Sequence, residues 1–351
     1  MKIYSNITRI FIIWAVAVLI VSFYGFSTLP HSNKFEYDFW KSLANWDGGH
    51  FLGIARTGYS QNFQYAFFPL YPLTIKALTY ITGNFVLSAI LISIVSSFLG
   101  LNILYKLVVL DFDKKLAEKV IITLLFFPTS FFLLTAYSEG LFFLLSISAF
   151  YFLRQNKLFW AIVAAALASA TRLVGLAVVA GLFIEIWSSR GINCKNWYLI
   201  FAPLGFVIYC VFLYLQTGDP FYFLTAENHW QRTLSTPVVG FWEALKNIAG
   251  GNLTQINIFF DLISAIFGVG FAIRAFRFLP SSFAIYSLLS VGIPLFTPTL
   301  SSMPRFLLPI FPIFILMALI KNQYIQLLYQ MLGVSLLAIF VSFFISGYWV
   351  S

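Results

Sequence analysis

The sequence predicts an all-α polytopic membrane protein, a transmembrane helix bundle of about 11 spans, and three observations lead there. Of the 351 residues, 60% are hydrophobic and 9% charged, far from the roughly 45–50% apolar and 25% charged of a soluble domain. Apolar runs near span length recur along the chain. Basic residues gather beside short connections, as membrane orientation demands. Little of the chain is left for extramembrane structure, so it reads as a single domain, 1–351, with two long loops at about 30–83 and 216–255.

The first run, 10–29, follows a basic start and has no small-residue cleavage site, so it reads as a span and not as a removable signal peptide. Further runs lie at 84–108, 119–136, 139–153, 158–171, 173–188, 197–215, 256–276, 280–296, 305–320 and 324–346. The shorter ones read as tilted, broken or re-entrant helices supported by neighbouring protein. Segment 66–82 is ambiguous because Pro69 and Pro72 interrupt it and Lys76 sits inside it.

Placing the N-terminus in the cytosol puts Lys2, Arg9, Lys106, Lys114, Lys115, Lys119, Arg154, Lys157, Arg190, Lys195, Arg274, Arg277 and Lys321 on the cytosolic side. The long loops are then extracytoplasmic. They hold Glu36, Asp38, Asp47, Asp219, Glu227 and Glu243, and Glu139 and Asp261 fall near the same face. Both loops are rich in Phe, Tyr and Trp, which suits short amphipathic helices lying in the headgroup region. The excess of basic over acidic residues, 21 against 12, is scattered along the chain, so it argues for membrane orientation and against nucleic acid as a partner. Cys194 and Cys210 stand outside any CxxC or metal-ligand spacing, and neither a disulfide nor a zinc site is expected.

Chemistry, if carried by loops, belongs on the outer side. In the first loop, Trp46-Asp47-Gly48-Gly49-His50-Phe51 is followed by Ile54, Ala55, Gly58 and Tyr59. The spacing predicts a short amphipathic helix with Asp47 at or near its N-cap and Phe51, Ile54 and Ala55 toward the membrane. The plain reading of Asp47 is a helix cap; the sharper one is a general base held at the bilayer surface among aromatics. Glu139, Arg172 and Arg305 map to the outer ends of spans. Charges there face protein or a wet cavity, as structural ion pairs or as ligands of a substrate. In the second loop, Asp219 before Pro220 reads most simply as a turn residue. His229 and Arg232, three apart, are expected to share a helical face, with Trp230 turned to lipid or a sugar. No Walker-type loop, GxGxxG after a strand, HExxH or GxSxG is present. Asn252-Leu253-Thr254 is a glycosylation sequon on the outer side, whereas the Asn6 sequon is cytosolic.

In order along the chain, several pieces together resemble the PIG-V type mannosyltransferases of the GT-C superfamily of multispan glycosyltransferases. They are Trp46-Asp47 with Phe51, Ile54, Ala55, Gly58 and Tyr59; Ala66-Phe67-Phe68-Pro69-Leu70-Tyr71-Pro72; Phe127-Pro128-Thr129 with Tyr137-Ser138-Glu139; Thr171-Arg172 with Gly175; Gly218-Asp219-Pro220; and Arg305-Phe306 with Pro309. The resemblance implies a GT-C-like bundle and a site on the extracytoplasmic or lumenal face. It implies a polyprenyl- or dolichyl-phosphate mannose donor, inverting transfer, a lipid-linked glycan acceptor and Asp47 as the catalytic aspartate of the first outer loop.

The residues accommodate that chemistry. Asp47 is the candidate base for the acceptor hydroxyl. Arg172 and Arg305, with Arg232 behind them, are candidates to bind the donor phosphate and stabilise its charge as it leaves. His50, Glu139, Trp46, Asp219, His229 and Trp230 are the candidates to orient the substrate. No carboxylate cluster calls for a metal, so the expected enzyme uses neither metal nor cofactor. Membrane lipids surround it, an accessory membrane subunit is left open, and its membrane is a bacterial plasma membrane or the endoplasmic reticulum. The competing readings are a transporter or flippase of a lipid-linked sugar, with Glu139, Arg172 and Arg305 along the path, and a glycolipid-binding scaffold. The absence of an inverted repeat and the placing of unusual polar residues on one face argue against transport.

Overall fold

The structure, a computed structural model, describes residues 2–190, 196–250 and 256–350. Cys194, Lys195 and the Asn252 sequon lie outside the described residues. Among the described residues the chain forms α1 (Lys2–Thr28), α2 (Phe39–Ser42), α3 (Asp47–Thr57), α4 (Leu70–Thr82), α5 (Phe85–Asp111), α6 (Lys114–Leu125), α7 (Glu139–Arg154), α8 (Leu158–Thr171) and α9 (Gly175–Arg190). It continues with α10 (Leu204–Thr217), α11 (Tyr222–Ala226), α12 (Pro237–Ala249), α13 (Ile256–Phe278), α14 (Ser281–Leu295), α15 (Met303–Leu307), α16 (Phe311–Ala318) and α17 (Gln323–Ile345). Short 3-10 turns at Asn62–Ala66, Ser130–Leu133, Trp197–Phe201 and Glu227–Trp230 complete an all-α architecture.

Four helical stretches, Asn6–Thr28, Phe85–Asp111, Asn257–Phe278 and Gln323–Ile345, are long and apolar enough to span a bilayer. A fifth candidate is the pair Leu204–Thr217 and Tyr222–Trp230, bent by 72°. The structure thus supports four or five spans by length and composition. The remaining predicted runs are helical but shorter, such as Leu158–Thr171 and Ser281–Leu295, or are broken. The run at 119–136 is one of these: α6 stops at Leu125, three residues before Pro128, and a 3-10 turn follows.

The chain divides into two compact units, one comprising Met1–Arg56, Tyr71–Ile147 and Phe314–Val350, the other Thr57–Leu70 and Ser148–Ile313. In the first, α1 packs on α17 so closely that a Cβ on Gly25 would stand 2.6 Å from the Ser342 side chain. The irregular backbone at 126–138 is largely buried, and buried carbonyls outside a helix need donors. Helix α5 supplies them from a serine stripe: Ser93 Oγ donates to Tyr137 O at 3.1 Å and Ser97 Oγ to Leu133 O at 2.8 Å. Opposite those serines only glycine fits, since a Cβ on Gly140 would lie 2.6 Å from Ser97 Oγ.

In the second unit, α9 and α13 pack on α14, and α8 lies against α9 and α10. Arg154 pairs with Glu185 at 2.9 Å, and Glu185 also accepts from Ser282 Oγ, which ties the ends of α7, α9 and α14. Tyr59, Tyr65, Phe68 and Tyr209 build an aromatic core in which Tyr59 stacks on Tyr65 at 4.9 Å. Two of the hydroxyls are hydrogen-bonded to backbone: Tyr59 donates to Phe67 O at 2.7 Å and Tyr209 to Tyr65 O at 2.6 Å. Burial pushes the Tyr59 hydroxyl far above its ordinary pKa. Helix α12 is amphipathic, with Gly240 and Ala244 buried and Val238, Trp242 and Leu245 exposed at helical spacing, the pattern of an interfacial helix.

Candidate functional site

In the first unit, Asp47 is the first residue of α3 and half-buried. It therefore stands at the start of the helix, beside the cap position, within the expected placing. The residue before it, Trp46, has φ 59°, a left-handed conformation that costs a bulky residue free energy unless its surroundings enforce it. The enforcement is visible. The Trp46 ring meets Phe35 and Trp349, each at 5.2 Å and near-perpendicular, and Lys34 Nζ lies 5.1 Å from its centroid. Asn45, on its other side, is buried and donates from Nδ2 to Phe344 O at 3.0 Å.

The start of α3 is fastened to the segment leading into α7. Ala136 N–H donates to Leu43 O at 2.9 Å and Tyr137 Oη to Asn45 O at 2.9 Å. A Cβ on Gly48 would stand 3.2 Å from Ala136 O, so the glycine after Asp47 permits this close approach. Glu139, the first residue of α7 and 1% exposed, follows two positions after Tyr137. Asp47 and Glu139 thus come from two segments that are hydrogen-bonded together. His50 is half-buried one turn along α3 from Asp47.

The expected membrane face of α3 is corrected by the structure: Phe51, Ile54 and Ala55 are buried in protein, with Phe51 edge-on to Tyr71 at 5.0 Å. Neighbouring helices, and not lipid, cover this apolar stripe.

In the second unit, the three candidate phosphate ligands converge. The guanidinium carbons of Arg172, Arg232 and Arg305 lie 5.6, 4.9 and 5.4 Å from the centroid of one ring, that of Phe306, all within cation–π range. Each comes from a break in regular structure. Arg172 is the extended C-cap that ends α8. Arg232 follows Gln231, whose φ is 59°. Arg305 lies in α15, a five-residue helix entered through Ser302 at φ 70°, and is 6% exposed. Breaks of this kind let a cation point inward where a continuous helix would carry it past. Arg232 also donates from Nη2 to Ser301 O at 2.6 Å, and Glu227 stands 4.0 Å from its Nε.

The shared face expected for His229 and Arg232 is not formed. The 3-10 turn ends at Trp230, and left-handed Gln231 redirects the chain. His229 instead stacks on Phe63 at 4.4 Å, and Trp230 sits edge-on to Phe63 and Phe67. Asp219 takes the turn role: its Oδ1 accepts from Phe221 N–H at 2.8 Å, next to left-handed Gly218. The sequence reading overlooked Phe306 as a platform and Tyr137 as a tether, and it left Asp261 unassigned. A buried acid within an apolar span signals function or strong pairing, so Asp261 was discoverable. Among the described residues no group of three or more His, Cys, Asp or Glu side chains is placed to hold a metal ion.

The family model Mannosyltransferase (PIG-V) matches residues 25–192. Curated protein sequences yield no match. Among solved structures, ArnT from Cupriavidus metallidurans bound to undecaprenyl phosphate is similar at TM-score 0.53 and 16% identity, covering 92% of this chain and 62% of that one. Its apo state is similar at TM-score 0.52 and 18% identity, covering 94% and 62%. The chain therefore spans about 62% of the length of the structures it resembles, and at these identities the likeness speaks to the fold alone. The family match thus covers just under half of the chain, residues 25–192, and the helical fold is similar to that of ArnT.

Proposed function

We propose that the protein is an inverting mannosyltransferase that moves mannose from a polyprenyl- or dolichyl-phosphate donor to a lipid-linked glycan on the extracytoplasmic or lumenal face. The observation that carries the reading is the convergence of Arg172, Arg232 and Arg305 on Phe306. Three guanidiniums held together in a largely apolar chain form a strong anion site, and their planar forks suit the oxygens of a phosphate. ArnT, the similar structure, was solved with undecaprenyl phosphate, a ligand of that class.

In the proposed reaction Asp47 accepts the proton of the acceptor hydroxyl as its oxygen bonds to the anomeric carbon of mannose. The bond from that carbon to the phosphate oxygen breaks, and the polyprenyl phosphate leaves with the electron pair. Inversion follows because attack and departure occur on opposite faces of the carbon. The arginines stabilise the charge gathering on the leaving phosphate. Glu139 and His50 orient hydroxyls near Asp47, and Trp46 offers a ring to the sugar. His229, Trp230 and Asp219 shape the outer-loop wall through their aromatic and turn contacts. The N-terminus is cytosolic in this reading.

The test is transfer of radiolabelled mannose from polyprenyl-phosphate mannose to membrane glycolipid in vesicles containing wild type or Asp47→Asn, with and without a chelator. Label that depends on Asp47 and survives chelation is expected. Correctly inserted protein that transfers to no acceptor, yet moves lipid-linked sugar between leaflets, would establish the transporter reading instead.

A further inference from the structure

Asp261 is the buried acid that the proposed reaction leaves without a task. It lies in α13, within the span Asn257–Phe278, and is 4% exposed. A carboxylate in such a place is costly unless its neighbours compensate for lost solvation. One such neighbour is the backbone of another element: Met303 N–H donates to Asp261 Oδ1 at 3.2 Å. Met303 is the first residue of α15, and the opening N–H groups of a helix need acceptors from outside it. Here the N–H is shared between Leu300 O in the preceding turn, at 3.2 Å, and Asp261, 42 positions earlier.

The packing around this bond is tight. Gly268 lies seven residues beyond Asp261, on the same side of α13. A Cβ there would stand 2.7 Å from Leu307 Cδ2, at the far end of α15. Thus α13 holds α15 at both ends, by a hydrogen bond at Met303 and by close contact at Leu307. The turn before α15 is gripped from the other direction, because Arg232 donates to Ser301 O at 2.6 Å. Between these two attachments stands Ser302, in the left-handed region at φ 70°. A non-glycine residue persists there only when its neighbours dictate the geometry.

Three residues after Ser302 comes Arg305, and then Phe306, the ring on which the three guanidiniums meet. The aim of that cluster therefore depends on the 301–303 turn. We infer that Asp261 is a positioning residue for donor recognition: by accepting the Met303 N–H it sets the turn that presents Arg305 and Phe306 to the donor phosphate. This rests on the reading of the arginines as the phosphate site.

The experiment measures binding of undecaprenyl phosphate to purified protein in nanodiscs, together with donor and acceptor KM, for Asp261→Ala, Asp261→Asn, Asp261→Glu and Arg305→Ala. Asp261→Asn keeps an oxygen acceptor at the same place and is expected to bind within about twofold of wild type. Asp261→Ala leaves the Met303 N–H with Leu300 O alone, so α13 no longer holds the turn, and Asp261→Glu displaces the carboxylate by one methylene; both are expected to weaken binding about tenfold. Donor KM rises with it while acceptor KM stays put, a split that general loosening of the bundle would not produce. Should the alanine variant fail to assemble, the contrast between Asn and Glu carries the test. Equal loss in Asn and Glu would overturn the inference, since charge and not the hydrogen bond would then matter. Wild-type binding in both Ala and Glu would also overturn it. If Arg305→Ala itself binds undecaprenyl phosphate like wild type, the phosphate-site reading fails first; if Arg305→Ala loses binding and Asp261→Ala does not, only the positioning role fails.

Discussion

Tyr137 donates its hydroxyl proton to the carbonyl of Asn45 at 2.9 Å, across 92 positions of sequence. Both residues are buried, at 1% and 3% exposure. The bond fastens the backbone two residues before Asp47 to the side chain of the residue two before Glu139, so it ties together the segments that carry two carboxylates far apart in sequence. Trp46, between Asn45 and Asp47, is the left-handed residue whose conformation this tether helps to hold.

From that tether, Tyr137→Phe is expected to leave the helices intact while lowering kcat about tenfold, because the ring still packs against Phe132 and Phe344 but the carbonyl loses its donor. Donor KM is expected to stay near wild type. Steady-state transfer kinetics, with circular dichroism as the control for folding, check this.

Asp47→Asn is expected to lower kcat at least 100-fold, within the roughly 10²–10⁴ range that a general base contributes. Asp47→Glu keeps a carboxylate but moves it by a methylene, and it is expected to retain a small part of the activity. Mannose transfer by both variants at saturating donor decides the point; activity near wild type in the asparagine variant would remove Asp47 as the base.

The arginines around Phe306 differ from ordinary surface cations in stacking on one ring, where lysine is a poor substitute. Arg172→Lys, Arg232→Lys and Phe306→Leu are each expected to raise donor KM several-fold, with acceptor KM unchanged. Competition by free undecaprenyl phosphate weakens in parallel. A titration of that inhibitor against each variant is the measurement.

Gly175, after the break that carries Arg172, has no room for a side chain: its Cβ would lie 2.5 Å from the carbonyl carbon of Ala168 and as close to the Cα of Ser169. Gly175→Ala is expected to cost about 1–3 kcal/mol, the usual penalty of overpacking, and to displace Arg172. Thermal unfolding in detergent should show a lowered Tm, and donor KM should rise.

Much of this protein was legible from residue order. Eight of the eleven apolar runs coincide with single helices, while those at 119–136, 197–215 and 305–320 are broken, and the scarcity of charge in an apolar chain drew attention to the arginines and Asp47. What escaped was anything that depends on one segment meeting another. The Phe51, Ile54 and Ala55 stripe was readable as apolar, but lipid and protein neighbours attract the same residues. His229 and Arg232 had helical spacing, yet a single left-handed residue at Gln231 sent them apart. The run at 119–136 had the composition of a span, while its broken backbone depends on serines of α5 for hydrogen bonds.

Composition by itself determined that the chain lives in a membrane, since burying this much apolar surface requires lipid, and the scarcity of charge marked which residues were worth their cost. Only the tertiary structure decided that Arg172, Arg232 and Arg305 share one ring, that Tyr137 holds the approach to Asp47, and that Asp261 reaches Met303. The physical reason is the same for all three. Hydropathy is a property of a segment and survives in any arrangement of the helices, whereas cation–π contacts and hydrogen bonds act over a few ångströms and exist only once distant segments have packed.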